Sequence, residues 1–392
     1  MAPLSIIEKN AIVVKIQQQL SKTPYACSSL THLTNGTTNF VFRGTLIQPL
    51  VQSHSTPDNQ SSPIARSIIV KHATEFAALN RDLPIDASRS IVEGSMLDIL
   101  NNLPSTNSMV KVPHLLYFDR ETNTQVLEDI PNVVDLKTIL MSPNANEVLT
   151  KPFATLVGRA LGSWLRSFHS WTSKLPPANL GEEKLKIGTN EPMRDLKYRI
   201  SYDCFIDVLK QFPGVIGKHQ SVLEEVKASA ANDFRRLPSE DQDEGWGTIH
   251  GDFWTGNVLL PETQQPQESP KLHIVDWEFA QFGHRAYDVG QMIADLYERK
   301  HFLDVEGALW GIDAFIDGYG AVSEDMAFRI AIHAGVHLVT WMKRGPPLHM
   351  RAAWATLERA RAVVELGMNF VLKGWERDRG WFRGSILAGL FI

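Results

Sequence analysis

The chain has 392 residues, of which 43% are hydrophobic and 21% are charged, with a formal net charge of −5 at pH 7. This length predicts two lobes rather than one domain, and the charge balance argues against a nucleic-acid partner. The two cysteines, Cys27 and Cys204, are too few for a disulfide framework and indicate a reducing, cytoplasmic compartment.

The first 130 residues combine strand signals with two helical patterns. Apolar residues between Ile6 and Leu20 follow a helical stripe, and Glu8 and Lys9 within it are atypical of a signal peptide. Runs of β-branched and aromatic residues predict four strands, at Phe40–Ile47, Ser67–Lys71, Val112–Phe118 and Thr124–Glu128. A polar, mobile loop is expected over Gln52–Arg66 and a helix over Ala87–Leu103.

From about residue 131 the pattern becomes helical. Leu156–Phe168 carries a wide apolar face, residues 181–245 predict at least two helices, and residues 286–372 return to helical spacing. Strong strand signals occur here at Thr248–Leu260 and Leu272–Trp277. The apolar tail Ile386–Ile392 is too short to cross a bilayer, so we expect it to pack onto the body of the protein, with no membrane partner.

This order predicts an α+β fold with two lobes. Residues 1–130 would form a small antiparallel-sheet lobe with a helix, and residues 131–392 a larger helical lobe. The layout is that of a bilobal, protein-kinase-like fold.

One motif carries most of the functional information. His250, Asp252 and Asn257 have the H-x-D-x-x-x-x-N spacing of a kinase catalytic loop, and Asp276 ends the next apolar run. Asp252 is the expected base for an acceptor hydroxyl, while His250 is expected to stabilise the loop. Asn257 and Asp276 offer the hard oxygen ligands that Mg²⁺ prefers.

Glu278 follows closely after that motif. It is a candidate ligand of a second metal through water, or a group that orients the acceptor. A purely structural hydrogen bond is an equal alternative.

Lys71 ends an apolar strand, where an unpaired ammonium would be costly. In a kinase it would contact the α- and β-phosphates and be held by an acid on the next helix. Glu93 is the expected partner and Asp98 the fallback.

Two further segments are candidates for nucleotide binding. The turn with Asn35, Gly36 and Thr37 precedes a strand, and its backbone N–H groups and hydroxyls suit phosphate oxygens. Glu128 and Ile130 end a strand and begin a linker, where backbone groups would meet the adenine edge. A plain turn and a plain linker are the alternatives.

The spacing after Asp276 bears on the acceptor. Tyr287-Asp288-Val289-Gly290 opens a helix within about a dozen residues, which leaves no room for the activation segment and A-P-E element of a protein kinase. We therefore expect a small-molecule hydroxyl as the acceptor.

These residues resemble the aminoglycoside phosphotransferase and choline kinase superfamily, over nearly the whole chain. The likeness rests on His250-Gly251-Asp252 with Asn257, on Asp276, on Tyr287–Gly290 and on the segment Leu161–His169. Asp276–Gly283 is similar to the methylthioribose-kinase-like branch. Ser67–Ala73 and Asp252–Asn257 are similar to the fungal 4-hydroxytryptamine-kinase-like branch. The resemblance implies ATP and Mg²⁺ as cofactors and direct transfer of the γ-phosphoryl group to a hydroxyl.

Two other functions are weighed against this one. A nucleotide-binding pseudokinase or scaffold is disfavoured because every catalytic position is filled, and a protein kinase is disfavoured by the short segment after Asp276. The oligomeric state is not encoded in any pattern of the chain. The acceptor stays open among amino alcohols, hydroxylated indoles, thio-sugars and aminoglycosides.

Overall fold

The protein is described by a computed structural model that divides into two compact units. The first contains residues 1–102 and 112–131, and the second contains residues 103–111 and 132–392. The described residues are 4–33, 36–51, 64–101, 103, 109–174, 188, 190–238, 245–262, 270–343 and 354–392.

The first unit is built on a five-stranded antiparallel sheet, with strands β1 (Cys27–Leu33), β2 (Phe40–Val51), β3 (Ile64–His72), β7 (Leu115–Asp119) and β8 (Thr124–Glu128). Their order in the sheet is β1-β2-β3-β8-β7. The short strands β4 (Phe76–Ala77) and β5 (Asn80–Pro84) form a separate pair. Helices α1 (Ile6–Leu20) and α2 (Arg89–Leu100) also belong to this unit.

Strand alternation places Lys71 on the opposite face of the sheet from α1. Ile68 and Val70 belong to the apolar cluster that includes Ile16 and Leu20 of α1. Because successive side chains of a strand point to opposite faces, Lys71 lies on the other face, where Glu93 of α2 meets it. The N-terminus of α1 is closed by a capping box between Ser5 and Glu8.

Within its described residues, the second unit contains two small sheets. Four strands have the order β6-β12-β11-β9, with β6 (Val110–Lys111), β9 (Val133–Asp135), β11 (Val258–Pro261) and β12 (Leu272–Ile274). Strands β10 (Trp246–Ile249) and β13 (Gln281–His284) form an antiparallel pair. The sequence motif lies in two polar loops, one between β10 and β11 and the other between β12 and β13.

Helices make up most of the second unit. The α-helices span Leu136–Leu140, Ala145–Val148, Lys151–Lys174, Glu191–Tyr198, Phe205–Leu209, Gln220–Arg235, Ala286–Leu303, Glu306–Tyr319, Glu324–Thr340, Leu357–Trp375 and Arg379–Phe382. A π-helical turn at Arg199–Asp203 continues the helix Glu191–Tyr198. In the described part of the chain, 3₁₀ turns lie at Thr255–Asn257, Trp277–Phe279, Trp341–Lys343 and Ala388–Leu390.

Two glycines let helix Lys151–Lys174 cross helix Glu306–Tyr319 at backbone contact. A Cβ at Gly158 would lie 2.3 Å from the carbonyl oxygen of Gly311, and one at Gly162 would lie 2.1 Å from that of Phe315. Neither position therefore tolerates a larger residue without movement of the helices. This close crossing sets the position of His169, which lies further along the same helix.

The ends of several predicted elements shift. The predicted helix Ala87–Leu103 runs over Arg89–Leu100, and the predicted strand Thr124–Glu128 is present with those ends. The strand predicted from Val112 begins only at Leu115, since Pro113 has no N–H for a ladder. The polar segment Gln52–Arg66 falls largely on residues 52–63, outside the described residues.

Three predictions about strands are wrong. Residues 64–66 of the expected loop belong to β3, because Ala65 pairs with Leu50. The continuous strand Thr248–Leu260 is interrupted between β10 and β11 by the loop described below. The strand Leu272–Trp277 ends at Ile274, because Asp276 adopts a left-handed backbone with a φ of +69°.

The C-terminal tail packs onto the second unit. Leu387, Leu390 and Phe391 are buried, and the ring of Phe391 stacks on Phe382 with centroids 4.7 Å apart. Among the described helices, none combines the length and apolarity needed to cross a bilayer.

Candidate active site

The loop after β10 turns sharply at Gly251. Its φ is +79°, and a Cβ at this position would lie 2.2 Å from the carbonyl oxygen of Phe279. Only glycine meets both demands, because other residues rarely adopt a positive φ and none lacks Cβ. The turn presents Asp252 at the head of the loop.

Asp288 fixes the backbone of this turn. Its Oδ2 accepts the N–H of His250 at 2.8 Å, and its Oδ1 accepts the N–H of Gly251 at 2.9 Å. All three residues are buried. A carboxylate with two backbone donors is a strong and directional contact, so the loop backbone has little freedom.

His169 holds Asp288 from the other side. Its Nε2 lies 3.1 Å from Oδ2 of Asp288, and its Nδ1 lies 2.9 Å from the hydroxyl of Tyr319. Burial lowers the pKa of His169 by more than the bond to Asp288 raises it. A neutral ring with its proton on Nε2 donates to Asp288 and accepts from Tyr319, which satisfies all three groups.

His250 links the two polar loops. Its Nε2 lies 3.1 Å from the carbonyl oxygen of Val275, and its Nδ1 accepts the N–H of Asp252 at 3.3 Å. Burial lowers the pKa of His250, so the ring is neutral and Nε2 is the donor. Both nitrogens are engaged with backbone groups, which supports the expected role of His250 in stabilising the loop.

Asp252 receives two donors on a single oxygen. Lys197 Nζ lies 3.0 Å from its Oδ1, and Gln291 Nε2 donates to the same oxygen at 2.7 Å. The side chain is 24% exposed. Burial acts to raise the pKa of Asp252, but the charge of Lys197 and the two hydrogen bonds outweigh it and lower the pKa. Asp252 is therefore a carboxylate at neutral pH.

Asn257 and Asp276 lie on neighbouring parts of one hairpin. The pair Val258 and Ile274 belongs to the β11–β12 ladder, and the N–H of Val275 donates to the carbonyl oxygen of Asn257 at 3.0 Å. Asp276 is thus the residue directly after the one opposite Asn257. The Nδ2 of Asn257 donates to the backbone oxygen of Asp252 at 3.0 Å, which turns its Oδ1 away from that contact.

Glu278 lies in the 3₁₀ turn that follows Asp276 and is buried. Asn190 stabilises this turn, because its Nδ2 donates to the carbonyl oxygens of Glu278 and Ala280 at 2.9 and 2.8 Å. The turn is therefore anchored to a residue that directly precedes the helix Glu191–Tyr198.

In the first unit Lys71 forms a buried ion pair. Its Nζ lies 2.8 Å from Oε1 of Glu93, and both side chains are at most 10% exposed. Asp98, the alternative partner considered from the sequence, is exposed on the same helix. Gln125 of β8 also reaches α2, donating to the backbone oxygen of Ser90 at 2.7 Å.

Arg89 fixes the turn before β2. The fully buried guanidinium donates to Oδ1 of Asn39 at 2.8 Å and to the carbonyl oxygen of Thr38 at 3.3 Å. Gly36 and Thr37 lie directly before these residues, whereas Asn35 lies outside the described residues. One buried arginine thus joins the turn to the start of the helix that carries Glu93.

Glu128 and Ile130 lie at the end of β8. The N–H of Glu128 donates to the carbonyl oxygen of His114 at 2.9 Å, and its side chain accepts the N–H of His114 at 3.3 Å. Ile130 follows without regular secondary structure and is half-buried.

Several of the residues described above, in one unit or the other, were not among the sequence candidates. Asp288 had a signal, since it belongs to the helix-opening segment Tyr287–Gly290, and His169 ends the segment Leu161–His169. Lys197, Gln291 and Arg89 had none. A lysine or arginine in a charged stretch ordinarily indicates a solvent-exposed face.

Sequence comparison supports the phosphotransferase interpretation of the motif. The family described as "Phosphotransferase enzyme family" matches residues 93–324. The phosphotransferase FrzJ of Cladobotryum sp is 30% identical over 98% of this chain and 97% of its own length. The chain belongs to the phosphotransferase enzyme family. A 4-hydroxytryptamine kinase of Psilocybe cubensis is 25% identical to this phosphotransferase over 70% of the chain and 73% of its own length.

Solved structures show the fold. The amicoumacin kinase hAmiN in complex with AMP-PNP, Ca²⁺ and Ami superposes on this phosphotransferase with a TM-score of 0.52, at 12% identity, covering 94% of this chain and 96% of that chain. The predicted protein-kinase-like α+β fold is confirmed, as is the resemblance to this superfamily, whose methylthioribose kinases also match. The protein is a small-molecule phosphotransferase.

Proposed function

We propose that this phosphotransferase transfers the γ-phosphoryl group of ATP to a hydroxyl of a small molecule, with Asp252 as the base. The observation that carries the proposal is the environment of Asp252. Asp288 fixes the backbone on which it stands, and Lys197 and Gln291 keep it a carboxylate. A fixed, ionised carboxylate beside an amide suits a base that receives an acceptor proton.

The reaction that we propose moves one proton and one phosphoryl group. Asp252 accepts the hydroxyl proton of the acceptor while the acceptor oxygen forms a bond to phosphorus. The bond from the γ-phosphorus to the bridging oxygen breaks, and ADP leaves with that oxygen. The chain itself supplies positioning and charge, which is what this reaction chiefly needs.

The donor set of the β11–β12 hairpin fits Mg²⁺. Asn257 and Asp276 provide an amide and a carboxylate oxygen from adjacent backbone positions, and Glu278 provides a second carboxylate from the next turn. When bound, Mg²⁺ offsets the negative charge of the phosphates. The bond from Asn257 Nδ2 to the backbone of Asp252 supports the orientation that Oδ1 needs for this role.

In the first unit, Lys71 would contact the α- and β-phosphates with Glu93 fixing its ammonium. The turn with Asn35, Gly36 and Thr37 would provide N–H groups and a hydroxyl to phosphate oxygens. Backbone groups from Glu128 to Ile130 would meet the adenine edge. The buried contacts of Arg89 support this assignment, because they keep the turn at a fixed position relative to α2.

Small hydroxylated molecules are the proposed acceptors. Only the turn Trp277–Phe279 and the strand β13 lie between Asp276 and the helix Ala286–Leu303, which leaves no platform for a peptide. Amino alcohols, hydroxylated indoles, thio-sugars and aminoglycosides all fall in this class. A cytoplasmic location, where ATP is abundant, is consistent with the two free cysteines.

The test is a screen of acceptors with ATP and Mg²⁺, in which a mass gain of one phosphoryl group identifies the product. The panel contains 4-hydroxytryptamine, methylthioribose, ethanolamine and an aminoglycoside, followed by metabolite extracts. The Asp252→Ala variant is the matched control and should form product at least about 100-fold more slowly. ATP that binds but is never consumed with any acceptor would contradict the proposal and support the pseudokinase alternative.

A further inference from the structure

Lys197, Gln291 and Asp252 form a closed ring of hydrogen bonds. Lys197 Nζ donates to Oε1 of Gln291 at 2.6 Å and to Oδ1 of Asp252 at 3.0 Å. Gln291 Nε2 donates to the same Oδ1 at 2.7 Å. Lys197 comes from the helix Glu191–Tyr198 and Gln291 from the helix Ala286–Leu303, so two separate helices converge on one carboxylate oxygen.

The chemistry of the three groups allows one arrangement only. An ammonium has donors and no acceptor, so the amide oxygen of Gln291 must face Lys197. The amide nitrogen of Gln291 must then face Asp252, and Oδ1 of Asp252 must accept from both. Lys197 and Gln291 are almost completely buried, so water does not readily replace either contact.

The ring makes the two oxygens of Asp252 unequal. Among the residues that the structure describes, two donors contact Oδ1, whereas Oδ2 has one long contact, 3.4 Å from Nδ2 of Asn257. The rotation of the carboxylate about its Cβ–Cγ bond is set by the oxygen that is held. Oδ2 is thereby the oxygen that can meet the acceptor hydroxyl.

We propose that Lys197 and Gln291 are positioning residues that hold Oδ1 of Asp252, so that Oδ2 is presented to the acceptor hydroxyl. This inference rests on the proposed function, in which Asp252 is the base. Lys197 and Gln291 act through Asp252 and not on the phosphoryl group. Displacement of a reacting group by even an ångström can lower a rate about 10²-fold.

The inference is tested with a double-mutant cycle on kcat. Lys197→Met removes the ammonium and keeps an apolar stem of similar length. Rates are measured with ATP, Mg²⁺ and 4-hydroxytryptamine as the probe acceptor, and hydrolysis of ATP by water is measured in parallel. In the wild-type background Lys197→Met should lower kcat about 10- to 100-fold with little change in the KM for ATP. In the Asp252→Ala background it should change kcat by less than about threefold, because its effect passes through the missing carboxylate.

Arg194→Met is the matched control. Arg194 lies one turn earlier on the same helix, is equally buried, and donates to the backbone oxygens of Arg236 and Gly188 at 2.7 and 3.4 Å. Its loss removes a buried cation from the helix without touching Asp252, so its effect on kcat should be at most about threefold. Should Lys197→Met fail to fold, Gln291→Leu opens the ring from the other helix and should show the same dependence on Asp252.

The outcomes separate the inference from the proposed function. An equal loss of kcat for Lys197→Met in the wild-type and Asp252→Ala backgrounds would overturn the inference and would indicate that Lys197 acts on the phosphoryl group instead. An equal loss of kcat for Lys197→Met and Arg194→Met would overturn the inference and would indicate a purely structural role for Lys197. A wild-type enzyme that transfers phosphate to no acceptor of the panel and not to water, or an Asp252→Ala variant as active as wild type, would contradict the proposed function itself.

Discussion

The backbone nitrogen of Gly251 donates to Oδ1 of Asp288 at 2.9 Å, in a fully buried contact between residues 37 positions apart. Asp288 lies in the first turn of the helix Ala286–Leu303, whose later residue Gln291 contacts Asp252. One helix therefore sets both the backbone of the loop and the side chain that it presents. Loop geometry and helix packing are coupled, and substitutions at Asp288 should affect both.

Asp288→Asn should destabilise the protein and slow catalysis together. An amide cannot accept the N–H groups of both His250 and Gly251 while also receiving a donor from His169, so at least one buried N–H loses its partner. We expect a loss of about 3 kcal/mol in the free energy of unfolding, measured by urea denaturation. Asp317→Asn, which breaks an exposed pair with Arg159, should cost less than about 1 kcal/mol. Equal effects of the two substitutions would contradict the anchoring role.

Asp252→Ala should abolish most of the turnover. Without the carboxylate no group accepts the hydroxyl proton, and the loss of general-base catalysis is expected to lower kcat roughly 10²- to 10⁴-fold. The affinity for ATP, measured by calorimetric titration, should change little. Turnover close to that of the wild type would remove the assignment of the base.

Asp276→Asn should abolish the Mg²⁺-dependent part of ATP binding. The substitution keeps the size and hydrogen-bonding capacity of the side chain but removes the charge that a divalent cation needs. Titrations of ATP with and without Mg²⁺ should then coincide. Asp313→Asn, which removes an exposed carboxylate of helix Glu306–Tyr319, serves as the control. An undiminished response to Mg²⁺ in Asp276→Asn would count against the metal role.

Glu93→Gln should weaken ATP binding without unfolding the first unit. The amide oxygen still accepts from Lys71, but the charge that fixes the ammonium is lost, and we expect the KM for ATP to rise roughly tenfold. Asp98→Asn changes an exposed acid on the same helix and should leave the KM within about twofold. The reverse order of effects would show that Asp98 is the functional partner.

The stability of the second unit should fall in acid partly through His284. Burial, with the charge of Arg329 next, lowers the pKa of His284 from 6.5 to about 3. Between these two values the unfolded chain binds a proton that the folded chain does not, so the free energy of unfolding decreases as the pH falls. His284 therefore contributes a slope of ~1.4 kcal/mol per pH unit to the dependence of the free energy of unfolding on pH. This contribution should be absent in His284→Gln, whose amide oxygen can still accept the N–H of Ala286. Urea denaturation at several pH values measures this slope, and parallel curves for the two proteins would refute the assignment.

Short sequence patterns predicted the elements whose own residues carry a clear signal. In helix α2 the apolar residues repeat at helical spacing, whereas strand β8 was predicted from the residue types in its run. Strand β13 was missed because all four of its residues are buried and show no alternation. Its extended form depends on pairing with β10, which is a contact between distant segments.

The sequence by itself determined which chemical groups are available and how they are spaced. His250, Asp252, Asn257 and Asp276 are recognisable because their spacing along the chain matches that of a kinase catalytic loop and the acid that follows it. Only the tertiary structure decided which distant residues surround them. Lys197 lies in a polar stretch and is buried because helix Glu191–Tyr198 packs against the 3₁₀ turn Trp277–Phe279, within reach of Asp252. Whether Lys197 is buried, and which residue it contacts, depends on how the helices pack, and helix packing depends on the whole chain.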